Sequence, residues 1–475
     1  MTQDIKYIVV LMLENRSFDH MLGFMKRARP ELNGLTGNES NSTDLNDVNN
    51  PTKRVKVSPD ANNINDVLSV DAGHKFADVN TQLFCNPGGP PAGPEQNGGF
   101  IYSYDQQREV TSPFARKIMK CFDPTAVPVL SRLANEFAVC DAWFSSVPGP
   151  TWPNRLFVHA ATSNGYVDNS VHVYNSRTIF ENLAASGRTW AVYYHDTAQS
   201  MWFNGLSTDE AKSHFSEFRN FERDAHNGSL PSYSFIEPQY FNFFTSKAND
   251  QHPPHSVVKG EQLIARVYNA VRQSPLWNNT MLVITYDEHG GTYDHVAPGK
   301  AIPPDSKTAH FAFDRYGVRV PAVVVSPFVP KAGIEHTTFD HTSIPATLKS
   351  VFSLPAFLTA RDAAAATLSK IASLSSPRTD TPEELAMTEV MRMMEHEPLD
   401  LDAIVRDKAA GEMSLTPLSD LQQAIVNHVH ELDVGEPSGL RALRLARRVD
   451  TEHDAAVYVR EMTARFLAHR RSKRP

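Results

Sequence analysis

The sequence predicts an α/β protein built on a central, mostly parallel sheet, with a helical appendage at the C-terminus. Short apolar segments rich in β-branched residues recur between residues 5 and 330, and polar residues follow several of them directly. Such segments are typical of strands in a parallel sheet that helices cover on both faces. After Pro377 the apolar residues take on a helical spacing. We therefore predict a large first domain over residues 1–377 and a helical appendage over residues 378–475.

The central segment is residues 281–295, with the sequence MLVITYDEHGGTYDH. Its first six residues predict a buried strand, and Asp287 and Glu288 follow at the carboxyl end. Adjacent strand residues point to opposite faces, so both carboxylates can reach one ion only if the strand ends there and the Gly-Gly pair turns the chain. Open α/β sheets bind ligands at this edge, which predicts a site for a hard metal ion or a phosphate. A solvated loop after a core strand is the alternative.

The first apolar segment, residues 5–13, repeats this layout. Glu14 and Asn15 follow it, and Ser17 is placed to cap a helix. Two further buried strands are predicted over residues 189–196 and 320–330. Long loops, by contrast, are predicted over residues 31–66 and 86–99, because the apolar residues there do not recur at a regular spacing.

A helical pattern over residues 123–142 leads to the segment PGPTWPNR at residues 148–155. Thr151 is predicted to be the N-cap of a second helix that Asn164 and Gly165 close. Free backbone donors and the positive dipole end at a helix N-terminus would stabilise a phosphate there. Arg155, one turn on, could then bind it with two hydrogen bonds. A helix start without a ligand is the alternative.

Several histidines lie in loops or at strand ends. They are His74 in DAGHKF, His195 at the end of the strand predicted over residues 189–196, His252 and His255 in the Pro-broken loop NDQHPPHS, His289 after Glu288, and His341 before a helix. Since the chain has 19 histidines, some of these placements are coincidental.

Because the carboxyl ends of parallel strands meet at one edge, Glu14, Asn15, Thr151, Asp287 and Glu288 are expected to meet there. Their oxygen ligands suit one hard divalent cation, Mg²⁺, Ca²⁺ or Mn²⁺. A ligated threonine hydroxyl loses its proton more easily and becomes a candidate nucleophile. These groups best serve phosphoryl or phosphodiester transfer, in which threonine attacks phosphorus, a histidine protonates the leaving alkoxide and water hydrolyses the phosphothreonine.

Composition excludes several other classes of protein. The net charge of −8 does not favour nucleic acid as a partner, and three scattered cysteines do not predict a disulfide framework or a zinc cluster. The chain shows no segment long enough to span a bilayer and no export signal, which predicts a cytoplasmic protein, with signal-independent export as the alternative.

The appendage divides into two segments of opposite charge. Residues 378–436 hold 14 acids against 4 Lys or Arg, and residues 438–475 hold 10 Lys or Arg against 4 acids. We predict a solvated basic helix paired with the acidic segment. Peripheral contact of the basic end with an anionic membrane is the alternative.

Four ordered motifs closely resemble the phosphoesterase family that includes non-specific phospholipases C and related acid phosphatases. They are ENRSFDH at 14–20, PGPTWPNR at 148–155, DEHGGTYDHV at 287–296 and the HPP loop after Asn249. The resemblance covers residues 5–355 or so and implies an alkaline-phosphatase-like, three-layer α/β core. It also implies that Glu14, Asn15, Asp287 and Glu288 bind the metal and that Thr151 is the nucleophile.

The resemblance further implies that His74, His195 and His252 surround the phosphate. We assign His289 and Arg155, which belong to the strongest motifs, to the catalytic group, with packing as the alternative. Substrate binding is assigned to three remaining residues, Asn154, His255 and His341.

The implied activity is that of a phospholipase C, which cleaves a phosphatidylcholine-type lipid to diacylglycerol and a phosphorylated head group. An acid phosphatase acting on phosphomonoesters with the same threonine and metal is the first alternative, and an inert membrane-binding protein is the second. The aromatic segment at residues 235–244, with Trp202 and Phe203, would offer a surface for acyl chains or else belong to the core.

Overall fold

The computed structural model describes residues 5–386, except 48–49, 62–67, 69, 88–92, 94, 109, 244–245 and 309, together with residues 418–433 and 451–468. Its strands are β1 (Tyr7–Leu13), β2 (Ser40–Ser42), β3 (Arg54–Lys56), β4 (Ala138–Cys140), β5 (Trp190–Tyr194), β6 (Phe215–Glu217), β7 (Tyr233–Ile236), β8 (Thr280–Tyr286), β9 (Ala322–Val325) and β10 (Gly333–Glu335).

The helices of the same residues are α1 (Phe18–Leu22), α2 (Phe76–Phe84), α3 (Phe100–Asp105), α4 (Ser112–Ala115), α5 (Pro128–Glu136), α6 (Thr151–Ala160), α7 (Ile179–Ala185), α8 (Asp209–Lys212), α9 (Phe218–His226), α10 (Val257–Arg272), α11 (Ser343–Phe352), α12 (Ala360–Ala364), α13 (Asp420–Asp433) and α14 (Glu452–Ala468). Ser17 caps α1 as predicted, since its side chain accepts a hydrogen bond from the backbone N–H of His20.

The central sheet has the strand order β10-β4-β9-β8-β1-β7-β5-β6. Every neighbouring pair is parallel except the two that involve β9, which runs antiparallel between β4 and β8. The mostly parallel sheet is therefore confirmed. Strand β1 lies at its centre and pairs with β8 along its whole length, so the carboxyl ends of both strands emerge side by side.

Two groups of helices pack against this sheet. In the first, α10 contacts β1, β8, α5 and α9, and α5 contacts β4 and β9. In the second, α7 contacts β5, and α6 contacts both α7 and α11. The inner strands β1, β4, β7, β8 and β9 are buried along nearly their whole length, as expected for a sheet covered on both faces. This arrangement confirms the predicted three-layer α/β core.

Two predicted elements are shorter in the structure than in the prediction. The helical pattern over residues 123–142 ends earlier, because α5 stops at Glu136 and the next apolar residues form β4. This strand is short and all of its residues are buried, so it shows no alternation of apolar and polar residues that would distinguish it from a helix. The strand predicted over residues 320–330 is shorter, and it is the antiparallel strand β9.

The second helix also begins and ends differently from the prediction. Pro150, with the extended backbone of an N-cap residue, precedes α6, and Thr151 is its first helical residue. The helix ends at Ala160, and its C-cap residue Ala161 adopts the left-handed conformation, whereas Asn164 and Gly165 form a later turn. The hydroxyl of Thr151 is therefore free of any capping role and can point towards β1.

The C-terminal helices are part of the packed protein. Helices α13 and α14 contact each other, as the predicted pairing of the two segments requires. They are not simply solvated, because Leu421, Ile425, Ala455 and Val459 are buried in the same hydrophobic core as the sheet. The boundary at residue 377 stays a prediction. None of the helices described here is long and apolar enough to cross a membrane.

A close backbone approach joins the ends of β1 and β8. Asn15 and Gly290 both have positive φ values, 55° and 59°. A Cβ atom added to Gly290 would collide with the carbonyl oxygen of Asn15. The glycine is therefore required both by its own conformation and by the neighbouring strand end.

We expect Gly290→Ala to lower the free energy of unfolding by about 3 kcal/mol, since it adds the left-handed strain of alanine to a steric clash. Gly187→Ala is the matched control, because Gly187 has a φ of 66° but open space around its Cβ position. It should lower the same quantity by only about 1 kcal/mol. Urea unfolding measures both changes, and equal losses would show that the approach to Asn15 is not restrictive.

Candidate active site

Acidic side chains follow three adjacent parallel strands at one edge of the sheet. Glu14 and Asn15 follow β1, Asp287 and Glu288 follow β8, and Glu237 follows β7. All five side chains are buried. The parallel register of these strands is the reason that residues distant in sequence are neighbours here.

Thr151 lies against the end of β1. Its Oγ1 donates a hydrogen bond to Oε2 of Glu14 at 3.2 Å and lies 3.4 Å from Oδ1 of Asn15. The backbone N–H of Asn15 in turn donates to Oδ1 of Asp287 at 3.0 Å. The first residue of α6 and the ends of β1 and β8 thus form one cluster, as the sequence predicts.

The carboxylates of this cluster lack sufficient positive charge around them. Oδ2 of Asp287 and Oε1 of Glu288 are buried and have no hydrogen-bond partner. Burial raises the pKa of Glu288 to about 8, while the charge of His74 opposes this and Asp287 adds to it. Burial also raises the pKa of Glu14 well above its usual value, although Arg155 opposes the shift. Oxygen atoms in this setting fit a divalent cation.

Arg155 does not occupy the place expected of a phosphate clamp. Its Nε and Nη2 donate to Oε1 of Glu14 at 2.9 and 2.6 Å, and its Nη1 donates to Oε2 of Glu237 at 3.3 Å. A further bond from Nη2 reaches the carbonyl oxygen of Met12. The guanidinium is buried and already paired, so the predicted contact with phosphate is wrong. Arg155 instead orients Glu14 towards Thr151.

Asn154 also positions its neighbours. Its Oδ1 accepts from the backbone N–H of Val147 at 2.9 Å, and its Nδ2 donates to the carbonyl oxygens of Val147, Gly149 and Pro150. These bonds use the whole amide to fix the turn before Thr151. The predicted role in substrate binding is therefore corrected.

His341 supports Asp287 from behind. Its Nε2 donates to the carbonyl oxygen of Asp287, and its Nδ1 accepts from the indole N–H of Trp143. Both ring nitrogens are thus committed within the protein, which corrects the assignment to substrate binding.

His289 is held in a similar way. Its Nε2 lies 2.8 Å from Oε1 of Gln82, and its Nδ1 lies 3.2 Å from Oε2 of Glu288. Burial and the charge of His74 lower the pKa of His289 to about 3. These contacts support the packing alternative, in which His289 orients Glu288.

His195 lies on the side of β5 where α9 packs. Its ring stacks on Phe218 with centroids 4.4 Å apart, and its Nδ1 lies 2.9 Å from the carbonyl oxygen of Glu237. Burial, together with the charge of Arg266, lowers its pKa to about 4. The structure does not bring this ring into the cluster around Thr151, which corrects its placement beside the phosphate.

His74 and His252, in contrast, lie together. Their rings meet edge-on with centroids 5.9 Å apart, and Asp71 approaches both. Burial disfavours the charged form of His74, but the carboxylates of Glu288, Asp71 and Asp420 outweigh this and raise its pKa to about 9. The Glu288 charge connects this pair to the acidic cluster.

His255 binds the C-terminal appendage and is not placed for the predicted substrate contact. Its Nδ1 lies 2.7 Å from Oδ1 of Asp250, and its Nε2 lies 3.8 Å from Oε1 of Glu452, the first residue of α14. Gln422 and Asn242 also donate to the Glu452 carboxylate. The ring is part of a buried ion-pair network.

Two functional candidates escaped the sequence analysis. Glu237 follows β7 just as Glu14 follows β1, so the same rule could have found it. The aromatic residues around Glu237 were predicted either to contact acyl chains or to belong to the core. The structure confirms the second alternative, since Phe235, Tyr240, Trp202 and Phe203 are buried. Asp71 lies three residues before His74, in a segment whose apolar residues do not recur at a regular spacing.

Comparison with known proteins identifies the family of the chain. The sequence matches the phosphoesterase family over residues 5–355. The chain therefore belongs to the phosphoesterase family, and the predicted class of enzyme, a phosphoric ester hydrolase, is confirmed.

Three curated relatives are named as phospholipases C. Non-specific phospholipase C3 of Arabidopsis thaliana is 37% identical over 99% of this chain and 90% of its own length. Non-specific phospholipase C6 of the same plant is 39% identical, over 96% of this chain and 91% of its own length. Phospholipase C B of Mycobacterium tuberculosis is 27% identical over 74% of each chain.

Similar solved structures are more distant. A protein of the alkaline phosphatase superfamily from Vibrio parahaemolyticus has a TM-score of 0.29 and 14% identity, covering 50% of this chain and 63% of its own. The lipoteichoic acid synthase of Listeria monocytogenes has a TM-score of 0.31 and 15% identity, covering 48% and 66%. The three-layer core rests on the sheet and helices described above.

The ion pairs of His255 predict a dependence of stability on pH. Burial lowers its pKa, but Asp250 and Glu452 outweigh burial and raise it from 6.5 to about 10. A raised pKa means that the stabilisation is fully present below the unfolded value and is lost as the pH rises through the folded one. His255→Gln should therefore lower the free energy of unfolding more at about pH 6 than at about pH 10.

Urea unfolding of both proteins at the two pH values measures this difference. His226→Gln, on the exposed end of α9, is the control and should change little at either pH. An effect of His255→Gln that is the same at both pH values would contradict a charged His255.

Proposed function

We propose that the protein is a phospholipase C that hydrolyses phosphatidylcholine-type glycerophospholipids to diacylglycerol and a phosphorylated head group. One observation carries the proposal: the buried hydroxyl of Thr151 is held by Glu14 and Asn15, beside the unpartnered carboxylate oxygens of Asp287 and Glu288. The names of the three relatives support the choice of a phospholipid substrate.

A divalent cation, Mg²⁺, Ca²⁺ or Mn²⁺, would be held by Glu14, Asn15, Thr151, Asp287 and Glu288. When bound, it would neutralise charge on the phosphate and favour ionisation of the threonine hydroxyl. The set contains only oxygen ligands, which is the chemistry that such hard ions prefer.

Different residues of the chain carry out the successive steps of the reaction. Thr151 gives up its hydroxyl proton in the direction of Glu14, its hydrogen-bond acceptor, and Oγ1 attacks phosphorus. The bond between phosphorus and the diacylglycerol oxygen breaks as the new bond forms. His74, which the neighbouring carboxylates keep protonated, donates a proton to that leaving oxygen, and His252 lies beside it. Water then attacks phosphorus and breaks its bond to Oγ1. One proton of the water goes to His74, and Glu14 returns its proton to Oγ1, which restores Thr151 and releases the phosphorylated head group.

Arg155 acts through Glu14 in this scheme. Its two hydrogen bonds to Oε1 leave Oε2 facing the threonine hydroxyl. His341 holds the backbone of Asp287, and His289 holds the carboxylate of Glu288. Precise placement of reacting groups contributes strongly to catalysis, so these positioning residues matter for rate although they need not touch substrate.

We expect Thr151→Ala to lower turnover of phosphatidylcholine by at least about 1,000-fold, because the nucleophile is removed. The loss of two hydrogen bonds should lower the free energy of unfolding by only about 1–2 kcal/mol. Thr151→Ser keeps a hydroxyl and should retain measurable activity. Vanadate, which mimics five-coordinate phosphorus, should inhibit the active proteins.

The assay compares purified protein on phosphatidylcholine and on a soluble phosphomonoester. Full activity of Thr151→Ala would contradict the nucleophile, and wild-type hydrolysis of the monoester alone would make the protein a phosphomonoesterase.

Asp287→Asn should weaken metal binding and turnover together. The expected loss of metal affinity exceeds the roughly 10–100-fold that removal of an outer-shell partner causes. Asp209→Asn, on the exposed surface of α8, is the control with the same change of charge. Metal content after dialysis and the rate with and without chelator measure the effect, and unchanged values of both would remove Asp287 from the metal site.

A further inference from the structure

We infer that a buried cavity behind Thr151 is a water site, and that Gln199, held by this water, fixes the carboxylate of Glu14. Gln199 is then a positioning residue of the reaction. The inference rests on the proposed function, in which the hydroxyl of Thr151 gives its proton to Glu14. It deepens that function by adding a side chain that acts on the nucleophile through Glu14.

The cavity lies against one face of α6. Trp152, Arg155 and His159 line it together, because residues three and four positions apart share one face of a helix. Other lining residues are Tyr174, Gln199 and Trp202, and all six are buried. The cavity has room for a water molecule but not for a larger ligand. Since Trp152 directly follows Thr151, this space lies immediately behind the proposed nucleophile.

Several polar atoms of the lining residues are buried without a hydrogen-bond partner among the described residues. They are both ring nitrogens of His159, the hydroxyl of Tyr174, Oε1 of Gln199, and the indole nitrogens of Trp152 and Trp202. Buried polar atoms are rarely left in this state unless water or an ion satisfies them. A buried water molecule makes about three hydrogen bonds, and the lining offers more groups than it needs.

These groups fit water better than an ion. The indole nitrogens only donate and Oε1 of Gln199 only accepts, so an ion of either charge would meet groups of the wrong polarity. Burial, together with the charge of Arg155, lowers the pKa of His159 to about 3, which leaves its ring neutral. Arg155 itself is paired with Glu14 and Glu237. A water molecule can accept from one of these groups and donate to another.

Gln199 connects the cavity to the cluster at Thr151. Its Nε2 donates to Oε1 of Glu14 at 3.3 Å, while its own Oε1 is unpartnered within the described part of the chain. In the reversed orientation of the amide, the carbonyl oxygen would face the carboxylate of Glu14 and repel it. A water molecule that donates to Oε1 of Gln199 therefore stabilises the orientation in which the amide donates to Glu14.

The two oxygens of Glu14 have different tasks. Its Oε1 accepts hydrogen bonds from Nε and Nη2 of Arg155 and from Nε2 of Gln199. Its Oε2 accepts from the hydroxyl of Thr151 at 3.2 Å. Without the amide of Gln199 the carboxylate would be held less firmly, and Thr151 would be placed less precisely for attack.

The first test compares Gln199→Met with Gln262→Met. Methionine keeps the length of the side chain and removes the amide. Gln199→Met should lower kcat for phosphatidylcholine about 10-fold with little change in KM, and it should weaken binding of Mn²⁺ by about the same factor in equilibrium dialysis. Gln262, half-buried on α10, is the matched control, and Gln262→Met should behave as the wild type does.

Tyr174→Phe and a crystal structure test the water itself. A high-resolution structure of the wild type should show a water molecule within hydrogen-bond distance of Oε1 of Gln199. Tyr174→Phe removes a hydroxyl from the cavity and keeps Gln199, so it should lower kcat in the same direction by a smaller factor. Circular dichroism checks that each variant keeps its fold.

Two results would overturn the inference. Wild-type kcat and Mn²⁺ affinity in Gln199→Met would remove the positioning role of this residue. A dry cavity in the crystal structure, or an unchanged kcat in Tyr174→Phe, would remove the water site.

The readouts that need no substrate separate this inference from the proposed function. A hydrated cavity and weaker Mn²⁺ binding by Gln199→Met, in a protein that hydrolyses no phosphate ester, would retain the inference and reject the function. Hydrolysis of phosphatidylcholine that does not depend on Gln199 would retain the function and reject the inference.

Discussion

The burial of several carboxylates at one edge of the sheet is the constraint on which the site depends. Removing an ionised carboxylate from water is unfavourable by several kcal/mol unless a positive charge is close. Arg155 offsets the charge of Glu14 and Glu237, but Asp287 and Glu288 keep buried oxygens without partners. The protein therefore holds a concentration of negative charge that a cation would relieve. The favourable free energy of burying apolar side chains in one large core offsets the unfavourable burial of this charge.

Much of this arrangement follows from polar residues placed directly after buried strands. The sequence alone was enough to bring Glu14 and Asp287 together, because parallel strands end at the same edge. Thr151 was also placed correctly near them, although Pro150 takes the capping position. The spacing of apolar residues did not identify the strand Ala138–Cys140, because three buried apolar residues fit a helix or a strand equally well.

The roles of polar side chains in the strongest motifs were much harder to predict. A motif marks a residue as important without stating whether it touches substrate. Arg155 and His341 have their hydrogen-bonding groups committed to other protein groups, and so they position the carboxylate of Glu14 and the backbone of Asp287. The histidines illustrate the difficulty further, because the ring of His195 stacks on Phe218 whereas the ring of His74 meets that of His252. The contacts of each ring depend on the path of the loops through the tertiary structure. The spacing of residues in the sequence does not determine that path.

The C-terminal appendage contacts the loop that carries His252. Three residues later in the same loop, His255 pairs with Glu452 at the start of α14. Asp420, at the start of α13, is among the carboxylates that raise the pKa of His74 against the effect of burial. One C-terminal helix therefore contacts the loop that carries His252, and the other lies close enough for its charge to act on His74. Residues beyond 355, where the match to the family model ends, thus contribute to the electrostatic setting of the candidate site.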